Sequence, residues 1–186
     1  MIYLMRHGQD DETYVGGWSD VSLLPEGREE VKESAIWMKD NLSISQIMCS
    51  DVYRAVESTM IVSEVLKLPY ELNPNLREQN KGLLNGMPKI EAYNSYSGFM
   101  DGEVGIDTVF PEGESLRGLY ERMKKYLGKI MEMEDGTLLV THRGVINMIY
   151  FLLNHKELSM DKKQFGVSTA SVHEIDKNKK IIKKIR

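Results

Sequence analysis

The sequence has very little cysteine and no hydrophobic run long enough to cross a membrane. Cys49 is the single cysteine among 186 residues, which excludes an internal disulfide and any zinc site built on cysteine pairs. No apolar stretch approaches the roughly 20 residues that a membrane-spanning helix needs. The net charge of -4 gives no electrostatic reason for binding nucleic acid or an anionic membrane. We therefore expect a cytoplasmic protein with neither nucleic acid nor membrane as a partner.

The rest of the composition is that of an ordinary folded domain. Hydrophobic residues make up 41% and charged residues 28% of the chain, which indicates neither disorder nor a fibrous protein. The chain is long enough for a sizeable core, and no repeat or linker interrupts it. We expect residues 1–186 to form a single domain.

Two predicted strands are each followed by a histidine beside an arginine. Residues 2–5 are typical of a short buried strand and lead into Arg6-His7-Gly8, and residues 137–141 form a similar strand that leads into His142. Ligands of open α/β sheets bind outside the carboxyl ends of the strands. A guanidinium grips phosphate oxygens in bidentate fashion and keeps a neighbouring imidazole neutral. The pattern therefore favours a phosphate site, although either tripeptide alone also fits a polar turn.

A third predicted strand brings another arginine to the same edge. Residues 47–49 are followed by Ser50 and Asp51, and a helical pattern then begins. Either side chain can cap that helix, which places Arg54 in or just after its first turn. Two histidines and two arginines without a carboxylate suit a dianion better than a metal ion.

The chain resembles the histidine phosphatase superfamily, the phosphoglycerate-mutase-like group, in segments that stand in the family's order. In that family the histidine of an Arg-His-Gly signature is the nucleophile, and a glutamate donates a proton to the leaving group. The matching segments are Arg6-His7-Gly8, residues 50–55 with Arg54, Leu76-Arg77-Glu78 followed by Gly82 and Gly86, residues 111–115, and Val140-Thr141-His142. They extend over nearly the whole chain.

The resemblance implies metal-independent hydrolysis of a small phosphate ester through a phosphohistidine, without a cofactor. His7 would be the nucleophile and Glu78 the proton donor, with the phosphoryl group stabilised by Arg6, Arg54 and His142. The expected substrate contacts are Arg6, Arg54, His142, Gly8, Gln9, Trp18 and Arg143. No metal-binding residue is expected.

The strand-helix-strand rhythm of residues 45–72 and the resemblance both indicate an α/β fold. We expect a three-layer α/β/α sandwich with a mostly parallel central sheet. Residues 168–185 predict an antiparallel hairpin at the C-terminal edge. His155 and His173 have no motif around them and are interpreted as structural or surface residues.

Some positions depart from the family's pattern. Asp10 stands where threonine or serine is usual, and we expect it to face away from the phosphate. No asparagine occupies the family's phosphate-binding place in the following loop, so Thr13 or the backbone is expected to substitute. Arg143 replaces a common glycine and either adds charge at the site or points to solvent. Trp18 either lines the pocket mouth or packs.

Residues 87–110 are the least regular part of the chain. They mix aromatic side chains with acidic ones, including Glu103, and are interpreted as a lid or pocket wall, with a solvated loop as the alternative. Glu114 and Ser115 are expected to cap the helix that follows, although Glu114 could contact the substrate.

Phosphatase activity is favoured over mutase activity. The family's mutases place Arg-His-Tyr after the catalytic glutamate and carry longer insertions that bind a bisphosphate. Here Gln79-Asn80-Lys81 follow Glu78, and 186 residues leave little room for such insertions. The compact chain also resembles α-ribazole phosphatases, so α-ribazole phosphate is one specific expectation for the substrate. Either a monomer or a homodimer fits.

Two functions from other classes stay open. A metallohydrolase could use the two histidines with acidic residues, but the chain has no His-x-His or His-Glu-x-x-His pattern. A non-catalytic module that binds a phosphorylated ligand is the other, because a fold alone does not establish a function.

Overall fold

The computed structural model describes residues 1–102, 104–161 and 163–186. In these residues the chain forms one sheet of six strands. The strands are β1 (Ile2–Arg6), β2 (Gln46–Cys49), β3 (Tyr70–Leu72), β4 (Thr137–Thr141), β5 (Val172–Asp176) and β6 (Ile181–Lys184). They lie in the order β3-β2-β4-β1-β5-β6. Strands β1 to β4 are parallel, and β5 and β6 run antiparallel to their neighbours. The predicted sheet and its C-terminal edge hairpin are confirmed.

Helices cover both faces of the sheet. They are α1 (Pro25–Asn41), α2 (Tyr53–Leu66), α3 (Lys89–Met100), α4 (Leu116–Glu132) and α5 (Arg143–Leu153), with short 3-10 turns at Pro74–Leu76 and Gly82–Leu84. Successive side chains of a strand point to opposite faces. Ile2 and Leu4 of β1 therefore pack with α4 and α5, whereas Tyr3 and Met5 pack with α1 and α2. These two cores make the three-layer sandwich that was predicted.

The least regular segment of the sequence contains a helix. Within α3 only Ala92 is buried, and Tyr96 has non-helical backbone angles. Ala92 packs in a small third cluster with Val15 and Leu84. The residue pattern here contains no helical signal because α3 buries no apolar stripe. Whether the segment covers the site stays a prediction, and Glu103 lies outside the described residues.

A buried polar chain lies under β5. The Tyr150 hydroxyl donates to Nδ1 of His173 at 2.9 Å, and Nε2 of His173 donates to Ser171 Oγ at 2.9 Å. Ser171 in turn donates to the carbonyl of Ser168 at 2.6 Å. Burial lowers the pKa of His173 to about 4. His173 thus has a structural role, as one of the two interpretations expected.

Among the described residues, none of the helices combines the length and the apolar character that crossing a membrane requires.

Candidate active site

The parallel pairing of β1 with β4 brings the two predicted site histidines together. Arg6 pairs with Thr141 in the sheet register, and the backbone N–H of His7 donates to the Thr141 carbonyl at 3.0 Å. His7 and His142 each follow the last residue of their strand, and their ring centroids lie 5.2 Å apart. Both rings are buried. The sheet therefore fixes the separation of the two imidazoles.

Hydrogen bonds determine which nitrogen of His7 carries the proton. Nδ1 lies 2.7 Å from the carbonyl of Gly8, which can only accept, so Nδ1 is the protonated nitrogen. Nε2 accepts from Nε of Arg54 at 3.2 Å. Burial, then Arg54 and Arg6, hold the pKa of His7 well below its usual value. Nε2 therefore carries a lone pair in the centre of the site, as a nucleophile requires.

In His142 it is Nε2 that is held by a neighbouring residue, Ser50, whereas in His7 it is Nδ1. Nε2 of His142 lies 2.8 Å from Ser50 Oγ, and that oxygen already accepts from the Val52 backbone N–H at 3.3 Å. We assign the Ser50 hydroxyl proton to Nε2, because the described residues offer that hydroxyl no other acceptor, and the ring proton then lies on Nδ1. Nδ1 is buried and has no hydrogen-bond partner among the described residues. Burial and the charge of Arg54 lower the pKa of His142, so the ring is a neutral donor.

Hydrogen bonds to neighbouring residues position the guanidinium groups of the two arginines. Arg54 donates from Nη1 to Ser19 Oγ at 3.1 Å and from Nη2 to the carbonyl of Gly17 at 2.9 Å. Arg6 donates from Nη1 to the carbonyl of Val167 at 3.1 Å, and its buried Nε has no partner in the described part of the chain. Burial lowers the pKa of Arg6 to about 10. Both side chains remain cationic near neutral pH.

Asp10 lies in the site, and the expectation that it faces away is wrong. Its Oδ2 is 3.4 Å from Nε of Arg54, and the carboxylate is largely buried. The backbone of Asp10 bridges to Leu23, which turns the chain so that the side chain points inward. Sequence patterns around Asp10 contain no signal for this bridge.

Glu78 is anchored at the start of α5. Its Oε2 accepts from the backbone N–H of Gly144 at 3.0 Å, and its Oε1 accepts from the N–H of Gln79 at 2.9 Å. A Cβ on residue 144 would come within 2.0 Å of Glu78 Oε1, so a side chain there would displace the Glu78 carboxyl group. Glu78 thus lies at the N-terminus of the helix that directly follows His142.

Arg122 holds the loop that carries Glu78. Its guanidinium donates to the carbonyls of Asn75, Arg77 and Glu78 at 3.0, 3.0 and 3.1 Å. It also forms an ion pair with Glu114 at 2.9 Å. Glu114 accepts from the N–H of Asn80 at 2.9 Å instead of capping α4.

Of the remaining predicted helix caps, one is present and one is absent. Ser115 caps α4 by accepting from the Gly118 N–H at 3.0 Å, as predicted. No side chain caps α2, so that expectation is wrong. Asp51 instead forms a two-point ion pair with Arg77, at 2.6 and 2.5 Å.

Trp18 packs on Arg77, the partner of Asp51. The guanidinium carbon of Arg77 lies 4.5 Å from the centre of the Trp18 ring. The indole Nε1 donates to the Glu78 carbonyl at 2.7 Å. Trp18 is about a third exposed, so it both packs on the Glu78 loop and presents a face to solvent.

Other predicted contacts are engaged elsewhere. The N–H of Gly8 donates to Ser58 Oγ at 3.1 Å, and that of Gln9 to Glu30 at 3.3 Å. Thr13 donates to Asp11, at the exposed surface. Arg143 is half-buried, and its charge contributes to the lowered pKa of Arg6. Arg143 thus lies near Arg6 and His7.

Several site residues were not found from the sequence. Ser19 holds Arg54, Ser50 orients His142, and Arg122 fixes the Glu78 loop. Serine after a strand is a common cap, so its pattern pointed to a different role. Glu114 lies just before α4 and Arg122 lies within it, so no helical spacing in the sequence indicated that they pair.

A neutral buried imidazole, flanked by two arginines at the carboxyl ends of parallel strands, is an arrangement that can bind a phosphoryl group. The chain belongs to the histidine phosphatase superfamily (branch 1), whose model matches residues 2–184. Phosphoglycerate mutase-like protein 4 of Arabidopsis thaliana is 31% identical over 159 residues, which cover 80% of this chain and 69% of that protein.

Solved structures share the fold over almost the full length. The α-ribazole phosphatase from Shigella flexneri superposes with a TM-score of 0.80 and 20% identity, covering 98% of this chain and 93% of that chain. A mycobacterial glucosyl-3-phosphoglycerate phosphatase superposes with a TM-score of 0.76 and 19% identity, covering 98% and 94%. At these identities the likeness shows the fold.

Proposed function

We propose that this protein is a metal-independent phosphomonoester hydrolase that works through a phosphohistidine at His7. The observation that carries the proposal is the lone pair on Nε2 of His7, fixed there by the Gly8 carbonyl. Two buried donor atoms, Nδ1 of His142 and Nε of Arg6, have no partner among the described residues. Buried polar groups are normally satisfied, and phosphoryl oxygens would satisfy these.

The first step forms a bond between Nε2 of His7 and phosphorus. The P–O bond to the alcohol breaks, and the leaving oxygen takes a proton from the Glu78 carboxyl. In the free protein Nε of Arg54 donates a hydrogen bond to Nε2 of His7. When the substrate enters, the same N–H donates to a phosphoryl oxygen instead. Arg6, Arg54 and His142 stabilise charge on the equatorial oxygens. One such donor is worth about 2.7–4 kcal/mol in a comparable oxyanion site.

The second step releases phosphate. The Glu78 carboxylate accepts a proton from water, and the hydroxide attacks phosphorus as the P–N bond breaks. Nε2 regains its lone pair. Nδ1 stays protonated throughout and donates its hydrogen bond to the Gly8 carbonyl. Glu78 thus returns to the protonated form in which it began.

Hydrolysis is supported over the mutase alternative by the residues after Glu78. Gln79 Nε2 donates to the Glu114 carbonyl at 3.4 Å, and Asn80 Oδ1 accepts from Gly82 and Asn85, both at 2.8 Å. These side chains tie the loop to itself instead of presenting cations to a second phosphate. A mutase must retain its phosphorylated product, whereas a hydrolase releases it.

The substrate class we propose is a small phosphorylated metabolite. α-Ribazole phosphate is the first specific compound to assay, on the resemblance of the compact chain to α-ribazole phosphatases. 3-Phosphoglycerate is the matching compound for mutase activity.

The test is hydrolysis of 4-nitrophenyl phosphate in EDTA by the wild type, His7→Ala and His155→Asn. His155 is exposed and has a positive φ of 51°, which asparagine tolerates, so it is the matched histidine control. We expect EDTA-resistant activity in the wild type and in His155→Asn, and none in His7→Ala. Quenched wild type should carry an acid-labile, alkali-stable phosphoryl group that His7→Ala lacks.

Other outcomes separate the alternatives. Loss of wild-type activity in EDTA would support the metallohydrolase. Tight binding of phosphate esters without turnover would support the binding module. Conversion of 3-phosphoglycerate to its isomer faster than phosphate release would support the mutase.

A further inference from the structure

A carboxylate lies among the cations of the candidate phosphate site. Oδ2 of Asp10 and Nε2 of His7 both lie within 3.4 Å of the same Arg54 Nε. Oδ1 of Asp10 has no hydrogen bond to the described residues. The carboxylate therefore shares the Arg54 Nε with the nucleophile and has acceptor capacity left.

The surrounding charges show that Asp10 faces the site. Its charge acts on both arginines, raising the pKa of Arg54 and of Arg6 against the effect of burial. Glu78 acts on the same two arginines, and Glu12 and Arg143 act on Arg6. An anion bound to Arg54 would therefore have an acceptor oxygen of Asp10 close to one of its own oxygens.

Two acceptor oxygens in contact without a hydrogen between them are unfavourable, and in a buried site the cost is larger than in water. An anion oxygen that carries a proton removes the conflict by donating to the carboxylate. Hydrogen phosphate and the singly protonated form of a phosphate ester have such a proton. Sulfate has the same charge and nearly the same shape as hydrogen phosphate, but has no proton near neutral pH.

We infer that Asp10 is a specificity-determining residue that accepts a hydrogen bond from a protonated phosphoryl oxygen and so selects phosphate over sulfate. This inference rests on the proposed function only in that Arg6, Arg54 and the histidines bind the phosphoryl group. Hydrogen phosphate and sulfate have equal charges, so Asp10 distinguishes them by the proton that hydrogen phosphate carries.

The experiment is calorimetric titration of inorganic phosphate and of sulfate above neutral pH, where phosphate is mostly the dianion HPO₄²⁻. The proteins are the wild type, Asp10→Asn, Asp10→Ser and Asp11→Asn. Asp11 is the matched control, since its carboxylate bonds to Thr13 at the surface. Asp10→Asn keeps the shape of the side chain and offers an N–H to sulfate, and Asp10→Ser provides a second neutral variant if the first does not fold.

We expect the wild type and Asp11→Asn to bind phosphate about tenfold more tightly than sulfate, or more. In Asp10→Asn and Asp10→Ser the two affinities should converge, mainly because sulfate binds better. An unchanged ratio of the two dissociation constants in these variants overturns the inference. A parallel weakening of both anions also overturns it, since Asp10 would then only position Arg54.

These titrations need no turnover, so they fail separately from the proposed function. A wild type that hydrolyses no ester, with the ratio collapsing in Asp10→Asn, refutes the hydrolase and supports the role of Asp10. A wild type that hydrolyses phosphate esters, with an unchanged ratio of the phosphate and sulfate dissociation constants in Asp10→Asn, supports the hydrolase and refutes the role of Asp10.

Discussion

Removing the guanidinium of Arg122 should damage the delivery of a proton by Glu78 while sparing attack by His7. The substitution is Arg122→Met, which keeps the aliphatic stem but loses every donor. Arg122 contacts the carbonyls of Asn75, Arg77 and Glu78 and the carboxylate of Glu114. Without it, the loop that carries Glu78 loses three main-chain hydrogen bonds to α4.

The cost follows from those contacts. A hydrogen bond from a charged donor contributes about 1.5–3 kcal/mol, and bonds that share one partly exposed guanidinium are not additive. We therefore expect a loss of about 3 kcal/mol in the free energy of unfolding. A displacement of the Glu78 carboxyl by about 1 Å is enough to reduce general acid catalysis about 100-fold.

The assay compares kcat/KM for two phosphate esters, because this ratio reports the first chemical step. An alkyl leaving group needs a proton, whereas 4-nitrophenolate leaves without one. Arg122→Met should therefore lower kcat/KM about 100-fold for the alkyl ester and by less than about threefold for the aryl ester. Arg117→Met is the control on the same helix, because Arg117 pairs with Asp107 at the surface, where solvent screens an ion pair. Equal losses on both esters, or none on the alkyl ester, would refute the reasoning.

Other predictions concern single side chains. The pKa of His173 is about 4 in the folded protein against 6.5 ordinarily, so the unfolded chain binds more protons between these values. The free energy of unfolding, measured by urea titration, should fall by about 3 kcal/mol as pH drops from 6.5 to 4, and His173→Gln should flatten that fall. Ser50→Ala frees Nε2 of His142, and should lower kcat/KM for the aryl ester about tenfold and weaken inhibition by phosphate. Gly144→Ala displaces Glu78, and should lower kcat/KM for the alkyl ester at least about tenfold.

Controls distinguish these effects from general loss of stability. Gly128 lies inside α4 with no heavy atom within 4 Å of a built Cβ, so Gly128→Ala should stabilise the protein by up to about 1 kcal/mol and leave activity unchanged. Unchanged alkyl-ester kinetics in Gly144→Ala would contradict the placement of Glu78. An unchanged phosphate inhibition constant in Ser50→Ala would contradict the tautomer assigned to His142.

The sequence predicted the part of the site that the sheet positions. His7 and His142 end adjacent parallel strands, so strand patterns alone were enough to place them at one edge. Arg54 followed from a helix that begins directly after β2. Glu78 could be singled out only through the family resemblance, because it lies on a loop.

The parts that sequence reasoning missed depend on pairs of side chains from distant segments. Asp51 was read as a cap, but its partner Arg77 lies on another loop. Asp10 was expected to avoid a phosphate site, and that expectation ignored its pairing with Arg54. Local propensity contains no information on such partners, and the geometry of the loops decides them.

The register of β1 against β4 also bears on how new specificity could be engineered. Neighbouring strands lie about 4.8 Å apart, close to the 5.2 Å between the rings of His7 and His142. The distance across the reacting centre is thus a repeat distance of the backbone. Core substitutions would change how firmly the domain holds together without changing that distance. A library confined to residues 87–102, which make none of the described hydrogen bonds to Arg54 or to the two histidines, could therefore diversify the accepted alcohol while leaving the phosphoryl-transfer geometry intact.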